Sequence, residues 1–308
     1  MTTPILHHYP LSPFSEKIRA IFGYKKLAWQ SVTIPAVMPK PDVIALTGGY
    51  RKTPVLQIGC DVYCDTRLIA RVVDACKPEP SIYPRFAEAT ANILAQWADQ
   101  TLFYSVLPYA FTPSALARTV GALTPAEAQV FMQDRLAMNE DARFKPPGRY
   151  VAMSHSPVYF AQLQAQLAGG TFLCGNQPTI ADFAVYHCLW FVARSSPETF
   201  EPYPRLRAWM DKLAGFGHGT PSELSSGDAL ALCRASTPLA LGDGAAVDPN
   251  GIARGARVVV RTTDLGRDPI EGELVYIDTD EVVLRRADAR AGTVHVHFPR
   301  IGYEMKAI

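Results

Sequence analysis

The sequence has almost no excess of either charge. Its 308 residues carry 30 Lys and Arg against 29 Asp and Glu, a net charge of +1, so the chain as a whole sets up no field that calls for nucleic acid or an anionic membrane as partner. Long apolar runs are missing as well. The longest, Phe183 to Ala193, contains His187 and is too short to span a bilayer. No basic region followed by an apolar core opens the chain, so no secretory signal is expected. The six cysteines, Cys60, Cys64, Cys76, Cys174, Cys188 and Cys233, form no CxxC pair, and the seven histidines show no metal-ligand spacing with nearby cysteines. The expectation is a reduced, cytoplasmic protein that needs no metal.

What is present concentrates in residues 53 to 74, TPVLQIGCDVYCDTRLIARVVD. Thr53-Pro54 places a tertiary amide where the chain enters the apolar run Val55-Leu56, and proline in a sheet is tolerated at strand starts and edges. The bond is a candidate for cis, which would turn the N–H and C=O of Thr53 outward as an edge that a small peptide could pair with. Gly59 and Asp61 mark the turn of a hairpin ending near Tyr63. Asp65-Thr66 then stands at the start of an amphipathic segment carrying Leu68, Ile69, Val72 and Val73, a helix start whose free N–H groups attract carboxylates.

The amino end supplies a counterpart. Ile5 to Tyr9 reads as a short strand leading into Leu11-Ser12-Pro13-Phe14-Ser15, with Ser12 as N-cap and Pro13 at the first helical position. With a second strand near Gln30 to Ile34, the order is βαβ then ββα, the thioredoxin-like arrangement. After Lys77-Pro78-Glu79-Pro80 the chain becomes rich in alanine and leucine at helical spacing. Helices are predicted from about Arg85 to Ser105, Thr124 to Met138, Ser156 to Leu167, Thr179 to Ala193 and Tyr203 to Ala214, on periodicity and on caps such as Thr124-Pro125-Ala126-Glu127 and Thr179-x-x-Asp182. From Thr220 to Ile252 one short helix near Asp228 to Arg234 precedes a linker. Four β-type runs follow, Val258 to Val260, Glu273 to Ile277, Val282 to Leu284 and Thr293 to Phe298, fitting a small curled sheet or SH3-like barrel.

Taken together, Ser12-Pro13-x-Ser15, Thr53-Pro54-Val55-Leu56 and Asp65-Thr66-x-x-Ile69-x-Arg71 resemble the glutathione transferase family, in a bacterial form. The carboxyl half adds a second match, Phe172-Leu173-Cys174-Gly175-x-x-Pro178-Thr179-Ile180-Ala181-Asp182 followed by Tyr203-Pro204-Arg205-Leu206-x-x-Trp209. The resemblance covers roughly residues 1 to 216 and implies a thioredoxin-like domain over 1–80 and an all-α domain over 81–216. A helical segment and linker, 217–253, and a β module over 254–308 lie beyond the ordinary family pattern, and the loop from Asp141 to Pro147 has no place in it.

The resemblance implies a homodimer with glutathione as co-substrate. Thr53 and Pro54 would face its cysteinyl part, Asp65 and Thr66 its γ-glutamyl end, and Lys52, or less surely Lys40, its glycyl carboxylate. The thiol would point at Ser12, with Tyr9 and Ser15 as rivals for the hydroxyl that stabilises thiolate over thiol. Serine at positions 12 and 15 cannot form the mixed disulfide that reductases use, which favours conjugation or peroxide reduction. Phe103, Tyr104, Tyr109 and Phe111 are candidates for the wall of a hydrophobic electrophile pocket. His295 and His297 alternate on one strand and are expected to face solvent. Basic and acidic residues balance in the β module, which argues against nucleic acid and for packing on its own chain or a second subunit. The alternative to an enzyme is a non-catalytic scaffold of the same fold that uses this module to bind a protein.

Overall fold

A computed structural model describes residues 2–112, 124–242, 244 and 248–308. Its amino-terminal unit runs β1 (Ile5–His8), α1 (Pro13–Tyr24), β2 (Ala28–Thr33), α2 (Pro41–Thr47), β3 (Val55–Ile58), β4 (Asp61–Cys64) and α3 (Thr66–Cys76). β1 pairs in parallel with β2 and antiparallel with β3, and β4 closes the hairpin on β3, as the thioredoxin-like order requires. Alternation along the strands sorts residues between two cores. Leu6, Leu56 and Tyr63 point into one core, while Ile5, Val55 and Val62 point into the other.

The first core is shared with the helical domain. There α4 (Glu88–Trp97) passes through a π-helical turn, Ala98–Leu102, into the short α5 (Phe103–Val106) and a 3₁₀ turn, Leu107–Phe111. The expected single helix from Arg85 to Ser105 is therefore broken at the turn that carries Asp99. Further on lie α6 (Pro125–Met138), α7 (Arg149–Gln166), α8 (Ile180–Ser195) and α9 (Pro204–Ala214). Ser156 does not start its helix: α7 begins after Gly148, with Pro157 in its interior and Ser156 Oγ donating to Ala152 O at 2.9 Å. α8 is buried along most of its length. Its capping acid Asp182 is fully buried and accepts from Thr179 N (2.8 Å), Leu173 N (2.9 Å) and Trp209 Nε1 (3.0 Å), so the Thr-x-x-Asp and Pro-Arg-Leu-x-x-Trp signatures form one hydrogen-bonded unit.

Beyond α9 the chain returns to the amino-terminal sheet. The segment expected to be helix and linker contains an edge strand, β5 (Thr220–Glu223), parallel to β2. All four of its residues are exposed, which is why no pattern betrayed it. Gly219 makes the approach feasible: its φ is +69° and a Cβ there would lie 2.4 Å from Leu27 O. Next come α10 (Ser226–Ala235), then β6 (Arg257–Thr262), β7 (Ile270–Ile277), β8 (Glu281–Asp288), β9 (Gly292–Pro299) and β10 (Tyr303–Ala307).

The carboxyl-terminal strands form the expected β-rich extension, yet they do not stand apart as a separate barrel. β9 pairs in parallel with the edge strand β4, and among the described residues one ten-stranded sheet results, in the order β10-β6-β7-β8-β9-β4-β3-β1-β2-β5. The second core follows the sheet, joining Ile5, Val55 and Val62 to Val258, Leu284, Val296 and Phe298 beneath α2 and α10. Burying each such side chain is worth about 1.5–3 kcal/mol. The extension and the thioredoxin-like unit thus share their stabilisation, and β4 is spared an open edge. No described helix is long and apolar enough to cross a membrane.

Candidate functional site

β1 delivers the chain to a tight turn, Ser12 N donating to Tyr9 O at 3.2 Å, from which α1 departs. Ser12 is the N-cap: its backbone is extended (φ −72°, ψ 119°) and its Oγ accepts from Ser15 N at 3.2 Å. Ser12 is 2% exposed and what remains open faces a chamber of about 1040 Å³ between the two domains. Tyr9 also lines the chamber, whereas Ser15 does not; Ser15 Oγ is buried without a partner.

The opposite rim is the strand entry. Thr53-Pro54 is cis, and Thr53 Oγ1 accepts from Lys40 Nζ at 2.9 Å. Lys40 is buried, which lowers its ammonium from 10.5 to about 8, and it lies 5.8 Å over the ring of Tyr9. Lys52, the first choice for an anion partner, is paired with Asp264 of the carboxyl-terminal extension at 2.5 Å. Asp65 caps α3 by accepting from Arg67 N at 2.9 Å, in a positive-φ conformation (φ 77°) that costs a non-glycine residue about 1–3 kcal/mol and is typical of functional turns. Its second carboxylate oxygen accepts from Tyr303 Oη at 3.2 Å, and Tyr303 in turn bonds Tyr50 at 3.0 Å. The extension therefore closes one end of the chamber and holds both expected charge partners.

A buried charge network underlies the floor. Lys17 Nζ, on α1, donates to Asp99 Oδ2 at 2.6 Å and to Thr66 Oγ1 at 3.3 Å, and His187 Nε2, on α8, meets Asp99 Oδ1 at 2.9 Å. Burial alone would raise the Asp99 carboxyl, but Lys17 and His187 hold it below its ordinary value. Burial keeps His187 low and hence neutral. Lys17 and Asp99 stand in no motif of the sequence, and His187 enters there only as one of seven histidines without metal-ligand spacing. The only local signal was a lysine on the otherwise core-facing side of α1, and its partner lies 82 residues away.

Of the aromatic wall, Tyr104 and Phe103 line the chamber, Phe103 against Phe14 at 4.8 Å and Tyr104 against Phe144 at 4.7 Å. Tyr109 does not. It packs into the helical core against Phe160, on the far side of its turn. The side chain of Phe111 lies outside the described residues. α6 covers the chamber, tied down where Asp134 accepts from Arg51 (2.8 Å) and Met38 N (3.0 Å). A buried hydroxyl at a helix start, an acid cap, a buried ammonium and an apolar wall face one space, which suits a small anionic peptide lying beside an apolar molecule.

The geometry agrees with comparisons to known proteins. Family models for the glutathione S-transferase N-terminal and C-terminal domains match residues 6–81 and 159–212. A GST-like protein from Pseudomonas syringae is 40% identical and superposes with a TM-score of 0.84 over 100% of both chains. FtsZ-localized protein A of Caulobacter vibrioides is 21% identical over 213 residues, 68% of this chain and 85% of that relative. A glutathione S-transferase from Rhodospirillum rubrum, 18% identical, shares the fold with a TM-score of 0.53 over 68% of this chain and 87% of its own. Signature residues, domain architecture and a full-length relative at this identity converge: the chain belongs to the glutathione S-transferase family.

Proposed function

We propose that the protein is a cytoplasmic, homodimeric glutathione transferase that conjugates the thiolate of glutathione to a small hydrophobic electrophile. The observation that carries this reading is the Ser12 hydroxyl, buried at the start of α1 and facing the same chamber as Thr53, Asp65 and Thr66. Glutathione would lie along the Thr53-Pro54 edge, its γ-glutamyl end at Asp65 and Thr66. Lys40 would meet its glycyl carboxylate, with Lys52 joining if Asp264 releases it. The hydroxyl of Ser12 can accept from Ser15 N and still donate its own proton to sulfur, stabilising thiolate together with the helix start. The electrophile would rest on Phe103, Tyr104 and Leu107, which line the chamber. Calorimetric titration of the full chain with glutathione, followed by turnover of a chloronitroaromatic electrophile, tests the proposal. Saturable binding with measurable conjugation supports it, and the absence of both overturns it.

One observation favours a second reading, a non-catalytic scaffold. Asp264 and Tyr303 already engage Lys52 and Asp65, and one relative's name places it with FtsZ. Deleting the extension cannot separate the readings, because its core is continuous with that of the thioredoxin-like unit. Tyr303→Phe and Asp264→Asn can: an enzyme gains glutathione affinity from them, and a scaffold still fails to bind it.

A further inference from the structure

The junction of β4 and β9 gathers a cluster that the catalytic reading does not use. Parallel register sets Asp61 opposite His295 and Tyr63 opposite His297, so Asp61, His295 and His297 all emerge on one face of the sheet. The two histidines, expected at the surface, are 8% and 3% exposed, and Asp61 is 1% exposed. The seam between the strands, not the alternation within β9, decided their burial. His297 Nε2 stands 3.0 Å from Asp61 Oδ1 and His295 Nδ1 stands 3.6 Å from the same oxygen. One ligand atom from each residue falls within 4.8 Å of the others.

The arrangement poses an electrostatic problem. Glu281 Oε1 lies 2.7 Å from His297 Nδ1 and Asp61 Oδ1 lies 3.0 Å from its Nε2; a carboxylate can only accept, so without an ion both ring nitrogens have to carry protons to satisfy the two contacts. His295 Nδ1 is buried with no hydrogen-bond partner, since 3.6 Å is too long for such a bond. A doubly protonated His297 donates to both carboxylates, but it leaves His295 Nδ1 unpaired and sets one positive charge against two carboxylates. A divalent cation among the three ligand atoms resolves every contact and balances both Asp61 and Glu281.

We propose that Asp61, His295 and His297 bind a divalent transition-metal ion, with Zn²⁺ the best match, that clasps the carboxyl-terminal extension to the edge of the thioredoxin-like unit. Two imidazoles and a carboxylate are ordinary zinc ligands, and tetrahedral coordination at about 2.0–2.1 Å puts ligand atoms about 3.3 Å apart, between the two separations seen here. The outer contacts are those of a built site. Glu281 fixes the ring of His297 from behind, and Leu239 N holds Asp61 Oδ2 at 2.9 Å. None of the three ligands lines the chamber, so the ion's role is to join strands 236 residues apart in sequence, with no part in the transfer chemistry.

The full chain, stripped with a chelator and titrated with ZnCl₂ by calorimetry, should take up one ion at micromolar affinity or tighter and melt at a higher temperature when loaded. His295→Gln and His297→Gln should each weaken uptake at least about tenfold, and Glu281→Gln, which leaves all three ligands in place, by about 10–100-fold. Co²⁺ in place of zinc should give the weak visible bands of a nitrogen and oxygen site. The proposal is overturned if the stripped chain neither binds zinc nor shifts its melting. It also fails if uptake is unchanged in the histidine variants, or if Co²⁺ shows thiolate charge-transfer bands, which would move the metal to the cysteines. Should a histidine variant not fold, Glu281→Gln and the cobalt spectrum of the unaltered chain still decide.

Discussion

Replacing Ser12 with alanine separates the two tasks assigned to one hydroxyl. As an N-cap, Ser12 Oγ accepts from Ser15 N at 3.2 Å, and losing that contact costs about 1 kcal/mol of stability. As a donor to bound thiolate it would make a hydrogen bond to a charged group, worth about 1.5–3 kcal/mol. At 1.36 kcal/mol per tenfold change, the thiol of bound glutathione should then rise by about one to two in pKa, and conjugation near neutrality should fall roughly 10- to 100-fold. Ser12→Asp is the control, because aspartate caps as well as serine but offers no proton and adds a negative charge beside sulfur. The assay is kcat/KM for the chloronitroaromatic across a pH series, with thermal melting alongside. Ser12→Ala should lose both stability and rate, with its profile displaced to higher pH, while Ser12→Asp should regain stability and not rate. If the pH profile of Ser12→Ala overlays that of the unaltered protein while its melting temperature drops, Ser12 is a cap and nothing more.

Other outcomes follow from the same structure. Asp182→Ala should remove more than about 3 kcal/mol from the denaturant-derived stability, because it leaves Leu173 N, Thr179 N and Trp209 Nε1 buried without their acceptor. Phe298→Ala should cost about 3–5 kcal/mol, and hydrogen exchange should quicken in β1 and β3 as well as in the extension; quickening confined to residues 254–308 would show two independent cores. Asp264→Asn breaks a partly exposed pair of about 0.2–1 kcal/mol, so glutathione should bind up to about fivefold more tightly through a freed Lys52. A weaker Kd would refute that competition. Acid should destabilise the fold through His7, which is fully buried and lowered by that burial from 6.5 to about 4. Its contribution is fully present above pH 6.5 and is lost as pH falls toward about 4, at up to about 1.4 kcal/mol per pH unit. His7→Gln should flatten that part of the melting-temperature profile.

How much of this could be read along the chain depended on the reach of each interaction. Ser12-Pro13, Asp65-Thr66, Thr124 to Glu127 and Thr179 to Asp182 were legible because a cap is satisfied within three residues of itself, and each is found at the helix start where it was expected. Ser156-Pro157 misled for the same reason: the pattern of a cap is local, but whether a helix has already begun upstream is settled by packing, here of Ala152 and Phe160 in the interior. Tyr109 and Tyr104 carry the same chemistry five residues apart, and only the turn between them sends one into the core and the other to the chamber.

By itself, then, the sequence determined the family, the thioredoxin-like order and the caps at Ser12, Asp65, Thr124 and Thr179, since these rest on contacts between near neighbours and on period-two and helical alternation. Only the tertiary structure decided that β9 runs beside β4, that Tyr303 and Asp264 reach Asp65 and Lys52, that Lys17 meets Asp99 and His187, and that two histidines of a seemingly exposed strand face a buried aspartate. The physical reason is that strand pairing and buried ion pairs join residues far apart in sequence. A strand's alternation says which side chains share a face. It does not say what that face will meet.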